Sequence, residues 1–463
     1  MDTAGIQAIW AKMPLAQAVV KVFQFVGNEA RLQAIFNEHR GRCYDKRIRF
    51  PCLVTLIGDA LLEHGGSGNQ SFSRAREAGE LDASKVAAYG KLGRLPVAVS
   101  QAFLAELSQA LRELFPAPAW RQPPASLRGL NTITLDGKAI KRVAKRLKPL
   151  RKMAGGMLGG RALVAMHYES GLVIGMHADE DGDANDVRFV PDLLPLVRAQ
   201  IPGLLLFLAD SAFCDLHRFE EFTEDGNHFL VRRHPKVGFH PDLDRPAQTG
   251  IDAQGRTFRE ECGWLGAVNH PKRRYVRQIT LLRPGEADVA ILTDLVAAEL
   301  YPDPAEELLE HYLQRWGIEQ VFQKVTEVFH LQGLIGSTPK ATIFQFAFCL
   351  VLYNLIHNAI QATPKGSLVS VAFKGMENQF MCEVADQGSG FSEVQRGNLF
   401  KPCHSSKEGG SGLGLAISKQ LANSIGAGLE LEETGPTGSR FVLVFARSSE
   451  IQETGEQAAC SCE

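Results

Sequence analysis

Between residues 132 and 208 the chain holds four short apolar runs of β character and one helical stretch, and this succession narrows the fold more than any other feature. The runs are 132–135, 162–168, 172–177 and 204–208; residues 186–199, at helical spacing, precede the last. Three strands, a helix and a further strand imply a mixed α/β sheet. Two of the runs lead into carboxylates. Asp136 ends Ile133-Thr134-Leu135, and Asp210 ends the more apolar Leu204-Leu205-Leu206-Phe207-Leu208-Ala209. A carboxylate at the carboxyl end of a buried strand projects into the crevice where open α/β sheets carry their sites.

The flanking regions read differently. Residues 1–121 repeat apolar side chains at helical spacing, as in Leu104, Leu107, Leu111 and Leu114, which predicts an N-terminal helical domain closed by an Arg-Gln-Pro-Pro-Ala linker. Residues 228–298 look β-rich, residues 305–330 return to a helical pattern, and residues 343–360 are apolar almost all round. Gln345, Tyr353, Asn354, His357 and Asn358 make that last segment too polar for a membrane span, so it reads as a buried helix. Nine scattered cysteines imply reduced thiols, and the first ten residues lack the basic and apolar regions of a signal peptide. A soluble cytoplasmic protein is the expectation, with no membrane partner.

Fifty basic against 52 acidic side chains exclude a global positive field. A local one exists. Lys138, Lys141, Arg142, Lys145, Arg146, Lys148, Arg151 and Lys152 follow Asp136 with no acid among them, and a weaker patch is Arg232, Arg233, His234 and Lys236. Such runs are usually solvated loops; beside a carboxylate site this one reads as a path for a polyanion. Trp264, near Lys272-Arg273-Arg274, reads as a core residue of the β-rich region.

The third acid is Glu319, within His311-Tyr312-Leu313-Gln314-Arg315-Trp316-Gly317-Ile318-Glu319. On one continuous helix, Tyr312, Arg315 and Glu319 share a face and Leu313, Trp316 and Val321 pack inward. Three converging carboxylates suit Mg²⁺ or Mn²⁺ and the phosphodiester chemistry of two-metal sites. Read singly, each acid is a turn cap or an ion-pair partner.

From Asp136 to Leu355 these segments resemble the DDE transposases of bacterial insertion sequences, in the subgroup whose third acid lies in a Tyr-x2-Arg-x3-Glu-x6-Lys signature. Thr-Leu-Asp-Gly-Lys carries Asp136, Leu-Ala-Asp-Ser-Ala-Phe-Cys-Asp carries Asp210, and the signature supplies Tyr312, Arg315 and Glu319. One departure stands out: the signature lysine falls on Thr326, and Lys324 is two residues early, about 200° round a helix. The resemblance implies a ribonuclease-H-like core over residues 122–355 with a β-rich insertion near 228–298. It also implies a DNA-binding role for residues 1–121. Catalysis would fall to Asp136, Asp210 and Glu319 as Mg²⁺ or Mn²⁺ ligands, and phosphate binding to Tyr312, Arg315, Lys138, Lys141 and Arg142. Transposon ends and target DNA would be the partners, bound by a homodimer in a synaptic complex.

A second constellation follows. Asp386-Gln-Gly388-Ser-Gly390-Phe is a D-x-G-x-G turn after a strand-like run, and Gly409-Gly410-Ser-Gly412-Leu-Gly414-Leu leads into a helical stretch, residues 413–425. Glycines let backbone N–H groups approach phosphates, and a helix N-terminus adds its positive end. Upstream, Asn354 and Asn358 lie one helical turn apart, where their amide oxygens could hold Mg²⁺. Residues 354–447 resemble the ATP-binding domain of sensor histidine kinases, shortened at its start, an α+β sandwich. That implies ATP as a ligand of Asp386, Gly388, Gly390, Gly410, Gly412 and Gly414. Residues 448–463 form a polar tail expected to be disordered. The multidomain α/β chain therefore reads as a transposase with a kinase-derived tail. The alternatives are a sensor-kinase-type ATP-binding protein or ATPase, and an inactive chimera of the two.

Overall fold

The computed structural model describes residues 22–62, 64, 66–115, 117, 121–140, 160–182, 184–296, 305–327, 335–336, 338–362, 369–376, 379–386, 393, 396, 427–435 and 438–446. They form two compact units that divide after Ala362.

The first unit opens with helices α1 (Glu29–His39), α2 (Phe50–Leu62), α3 (Gly68–Glu77), α4 (Lys85–Gly93) and α5 (Val97–Leu114). Asn28, Ser67 and Ser84 cap α1, α3 and α4 by accepting the N–H of Arg31, Gln70 and Ala87, which satisfies donors a helix start leaves open. The leucine stripe of α5 is buried as its spacing predicts.

A ten-stranded sheet follows. Strands β1 (Leu130–Ala139), β2 (Arg161–His167) and β3 (Leu172–Asp179) form an antiparallel meander. A 3-10 turn and helix α6 (Val190–Gln200) then carry the chain to β4 (Leu204–Ala209), which pairs parallel with β1. Helix α7 (Arg218–Thr223) leads to β5 (His228–Arg232), parallel to β4. Residues 228–232 thus complete the core sheet, and the β-rich excursion begins after them. It comprises β6 (Phe239–Pro241), β7 (Gln248–Ile251), β8 (Thr257–Leu265), β9 (Arg274–Leu281) and β10 (Val289–Thr293), and it rejoins the sheet by antiparallel pairing of β10 with β5.

Alternation along the strands sorts the side chains into two cores. Ile133, Leu135, Leu205, Phe207 and Ala209 face α6, where Val190, Leu193, Leu194 and Val197 close the layer. Leu206, Leu208 and Leu230 face the other way, onto Leu308, Leu309 and Tyr312 of helix α8 (Ala305–Leu313). Leu308 and Leu309 are fully buried, and at roughly 1.5–3 kcal/mol each they hold α8 against the sheet. Helix α9 (Trp316–Glu327) continues from it.

Helix α10 (Pro339–Ala362) is the buried helix expected for 343–360, packed on α4, α5, α9 and β3. Its stretch Pro339–His357 is long and apolar enough to cross a membrane, yet Phe344, Phe346, Phe348, Leu350, Leu352 and Leu355 are at most 1% exposed inside the unit. Phe344 and Phe348 join Phe50 and Phe103 in one aromatic cluster, so the N-terminal helices and α10 share a core.

The second unit is an antiparallel sheet ordered β11 (Val369–Met376), β12 (Gln379–Asp386), β14 (Gly438–Ala446), β13 (Ala427–Gly435), with a bulge in β13 between Leu431 and Glu433. Asp386 ends β12, as the motif requires. Gly388, Gly390, Gly410, Gly412, Gly414, the helical stretch 413–425 and the tail 448–463 lie outside the described residues.

Two buried histidines set an acid limit on the first unit. His311 on α8 bonds Thr132 through Nε2 at 2.8 Å, and its pKa falls to about 4 because burial disfavours the charged ring, against the pull of Glu169. His357 on α10 is likewise held at about 4 by burial and by Arg121 and Lys324. The unfolded chain takes up both protons near pH 6.5, so between about 6.5 and 4 it binds more protons than the fold. Urea midpoints should therefore fall through that window as pH drops, and His311→Gln should flatten the slope. An unchanged slope in the variant would remove His311 from the account.

Candidate active site

The pairing of β1, β4 and β5 sets the site. Thr134 lies opposite Leu208, and Leu208 opposite Leu230. Two residues further along each strand, the same row holds Asp136, Asp210 and Arg232. Parity keeps all three on the α8 side, and neighbouring strands lie about 4.8 Å apart. Asp136 does not end its strand. β1 runs on to Ala139 against β2, while its pairing with β4 stops at Thr134, so Asp136 stands where β4 gives out.

The third acid arrives by a broken helix. Arg315 N–H bonds the Tyr312 carbonyl at 2.9 Å and Ile318 N–H the Arg315 carbonyl at 3.2 Å, a 3-10 turn between α8 and α9. Tyr312 therefore lies in the last turn of α8, Arg315 occupies the turn between the helices and Glu319 lies in the first turn of α9. Because the break shifts the helical phase, Trp316 is 55% exposed instead of packing inward, while Val321 is buried as expected. Three-residue spacing sets the Arg315 guanidinium 5.9 Å from the Tyr312 ring, and Nη2 reaches Glu319 Oε1 at 2.9 Å.

Charge at the site is unbalanced. Asp136 is raised to about 6, first by burial; Arg315 and the Gly137 N–H oppose this, and Asp210 and Glu319 add to it. Each acid keeps one oxygen occupied: Asp136 Oδ1 by Gly137 N–H at 2.9 Å, Asp210 Oδ1 by Ala212 N–H at 2.8 Å, and Glu319 Oε1 by Arg315. The second oxygen of each has no hydrogen bond among the described residues. A mutually repelling set of hard oxygens fits a divalent cation. The three do not close to within 4.8 Å of one another; among the described residues only Glu38, His39 and Glu106 do.

Around the acids lie donors without acceptors. Arg315 is 7% exposed, and its Nε and Nη1 have no hydrogen-bond partner, nor does the buried Tyr312 hydroxyl. Burial pushes that hydroxyl up to about 12, so it stays a donor at neutral pH, with the guanidiniums of Arg315 and Arg232 close enough to oppose the shift. Lys138, on the same face as Asp136, places its ammonium 5.4 Å over the Phe322 ring; burial lowers its pKa and Asp136 resists. Lys141 and Arg142 lie outside the described residues. Thr326 turns its hydroxyl back to the Phe322 carbonyl at 2.7 Å, and Lys324 is directed to the Tyr353 ring, 5.9 Å away.

Two expectations are corrected. Trp264 is 40% exposed on β8, with Arg273 4.6 Å over its ring and Tyr275 beside it, because its partners come from β9 and the surface. Asn354 is fully buried: Oδ1 accepts the Val173 N–H at 2.9 Å, and Nδ2 donates to the Val173 carbonyl at 2.7 Å and Ser108 Oγ at 2.9 Å. Its amide ties α10 to β3 and α5. The side chains of Asn358 and Asp386 are outside the described set.

The motif reading passed over a buttress on the opposite face. Gly137 has no side chain because the Asp186 carboxylate fills that space; a Cβ there would overlap it. Arg161 on β2 holds Asp186 with Nε on Oδ1 and Nη2 on Oδ2 at 2.7 Å. The glycine directly after a strand acid was the available signal.

Comparison with known proteins agrees with these features. Residues 136–355 match the family described as transposase DDE domain, and residues 345–449 match the histidine kinase-, DNA gyrase B- and HSP90-like ATPase family. The two matches and the transposase relative support a transposase DDE domain joined to a kinase-type ATPase domain. It is 24% identical over 178 residues to a probable transposase of insertion sequence element IS5377 from Geobacillus stearothermophilus, covering 38% of this chain and 45% of that one. It is 38% identical over 95 residues to the C4-dicarboxylate transport sensor protein DctB of Rhizobium meliloti, covering 20% and 15%. The chain thus spans less than half the length of either relative. The solved piggyBac transposase synaptic complex with hairpin DNA aligns over 73% of this chain and 75% of that one at 11% identity and a TM-score of 0.34.

Gly137→Ala should displace Asp186 and shift β1 beneath Asp136. Mn²⁺ affinity, measured calorimetrically, is expected to fall about tenfold, and the double change Gly137→Ala with Asp186→Ala should recover part of it. Wild-type affinity in the single variant would show that the buttress does not support the site.

Proposed function

We propose that the first unit cuts and rejoins DNA phosphodiesters at insertion-sequence ends. The observation that carries this reading is the row of Asp136, Asp210 and Arg232 across three parallel strands, with Glu319 and Arg315 brought over it. The strand order β3-β2-β1-β4-β5, antiparallel up to β1 and parallel after it, supports a ribonuclease-H-like core. Asp136, Asp210 and Glu319 would hold Mg²⁺ or Mn²⁺. Bound ions would lower the pKa of an attacking water or 3′-hydroxyl and neutralise the leaving oxygen. Arg315 and Tyr312 orient the phosphate, because their buried donors lack acceptors among the described residues until an anion enters, and Arg232 adds a cation beside them. Lys138 adds a cation on the same face where the signature lysine is replaced by Thr326. Both steps are phosphoryl transfers, so positioning and charge stabilisation dominate. Joining two ends calls for a homodimer, and burial of α10 within the first unit supports a soluble, cytoplasmic chain.

The test uses duplex DNA carrying the inverted repeats that flank the gene. Asp210→Asn should abolish nicking of that end while leaving its binding largely intact. Nicking by the variant at the wild-type rate would take Asp210 out of the reaction.

For the second unit we propose an ATP-binding domain that is folded but incomplete. The support is Asn354, whose amide is committed to Val173 and Ser108. A fluorescent ATP analogue should show no Mg²⁺-dependent binding to the full chain; tight Mg²⁺-dependent binding would overturn this.

A further inference from the structure

On the first unit, away from the acids, two cations converge on a set of aromatic rings, with no carboxylate paired to them among the described residues. Arg121 lies with its guanidinium carbon 5.1 Å over the Tyr168 ring. His357 stacks on Tyr353 at 5.5 Å and 17°, and Lys324 Nζ is 5.9 Å from the Tyr353 ring. The β2–β3 turn brings them together. Gly171 takes φ +70°, and a Cβ there would overlap His357 Nε2 and fall 2.7 Å from Arg121 Nη1, so only glycine leaves room for both.

Neither cation is neutralised among the described residues. Arg121 Nε is buried with no hydrogen-bond partner, and neither Arg121 nor Lys324 forms an ion pair among the described residues. The carboxylates that reach Tyr168 are Glu169 and Glu310. Glu169 is spent on the Thr132 N–H and His167, and Glu310 on Arg256. Burial and the two cations keep the His357 imidazole uncharged. Cations left unpaired beside half-buried rings form a surface for an anion attached to a flat group.

Position relative to the acids narrows the ligand. Tyr168 N–H bonds the Thr132 carbonyl, and Thr132 lies four residues before Asp136 on the same face of β1, roughly 13 Å away. Lys324 lies five residues after Glu319 on α9, a rise of about 7.5 Å. A distance near 13 Å is about four steps of 3.4 Å along a DNA strand.

We propose that Arg121, Lys324, Tyr353 and His357 form a second phosphate-binding site for the DNA strand that leaves the acid site. This rests on the reading of the first unit as a DNA-cutting enzyme. Arg121 and Lys324 neutralise backbone phosphates, and the Tyr353–His357 pair supports the adjoining sugar or base. The site is built from the linker residue Arg121, the β2–β3 turn, α9 and α10.

The experiment measures binding of a fluorescein-labelled duplex carrying the flanking inverted repeat, over a range of salt concentrations. The double variant Arg121→Gln, Lys324→Gln should lose about tenfold in affinity, and its salt dependence should flatten by about two in log–log slope, one for each lost phosphate contact. Lys324→Gln alone, at an exposed position, should flatten it by about one, and it carries the test if Arg121→Gln disturbs folding. Unchanged affinity and slope in Lys324→Gln, with wild-type protein binding the duplex, would overturn the second site and leave the acid site standing. A wild-type protein that does not bind the duplex would overturn both. Weaker binding of inorganic phosphate alone, with DNA binding unaltered, would mean that a small anion occupies the site, and it too would overturn the proposal.

Discussion

The register of β1 against β4 is the constraint on which the site depends. It is set by apolar alternation well before the acids are reached: Ile133, Leu135, Phe207 and Ala209 must face α6, while Leu206 and Leu208 must face α8. A slip of one residue would turn every one of these side chains to the wrong face, exposing several leucines at roughly 1.5–3 kcal/mol each. That exceeds what two carboxylates lose by being placed together, since burial and mutual repulsion move Asp136 by only about two pKa units, roughly 3 kcal/mol. Hydrophobic packing therefore imposes the electrostatic strain at the site, and a divalent ion or the Arg315 guanidinium is what can relieve it.

The turn between α8 and α9 does the remaining work. A continuous α-helix would have set Trp316 against the core. The 3-10 turn instead leaves Trp316 exposed, and two Arg315 guanidinium nitrogens stay buried without acceptors among the described residues. Unpaired buried donors cost on the order of 1–3 kcal/mol each, so the folded protein retains them at a loss. An entering phosphate would satisfy them.

What the sequence made legible follows from how locally each feature is determined. The core strands were readable because strands buried on both faces are continuous apolar runs, and β4 is the clearest case. The end of β1 was not, because Gly137 and Lys138 carry no apolar signal and are held in the strand by pairing with Leu163 and Ala162. The three acids could be named from their segments, and the structure brings them to one side of one sheet. The break before α9 could not be read, since it lies in a few backbone hydrogen bonds shifted from i−4 to i−3, which no side-chain pattern records. Trp264 was misjudged for a related reason: its neighbours Arg273 and Tyr275 arrive from another strand, and no local pattern records them. The cluster at Arg121 is assembled from a linker, a turn and two helices, with no spacing to announce it.

Helix α10 shows how far packing can overrule a motif. Residues 345–355 fall in both family matches, so the same side chains are claimed for two uses. Serving a nucleotide would require Asn354 to give up its bonds to Val173 and Ser108 and the helix to turn or leave its seat. Phe344, Phe346, Phe348, Leu350, Leu352 and Leu355 are buried on different sides of it, and exposing even five of them would cost roughly 8–15 kcal/mol. A domain's whole stability is about 5–15 kcal/mol. No nucleotide contact through a single amide offsets that cost, so the helix stays with the first unit.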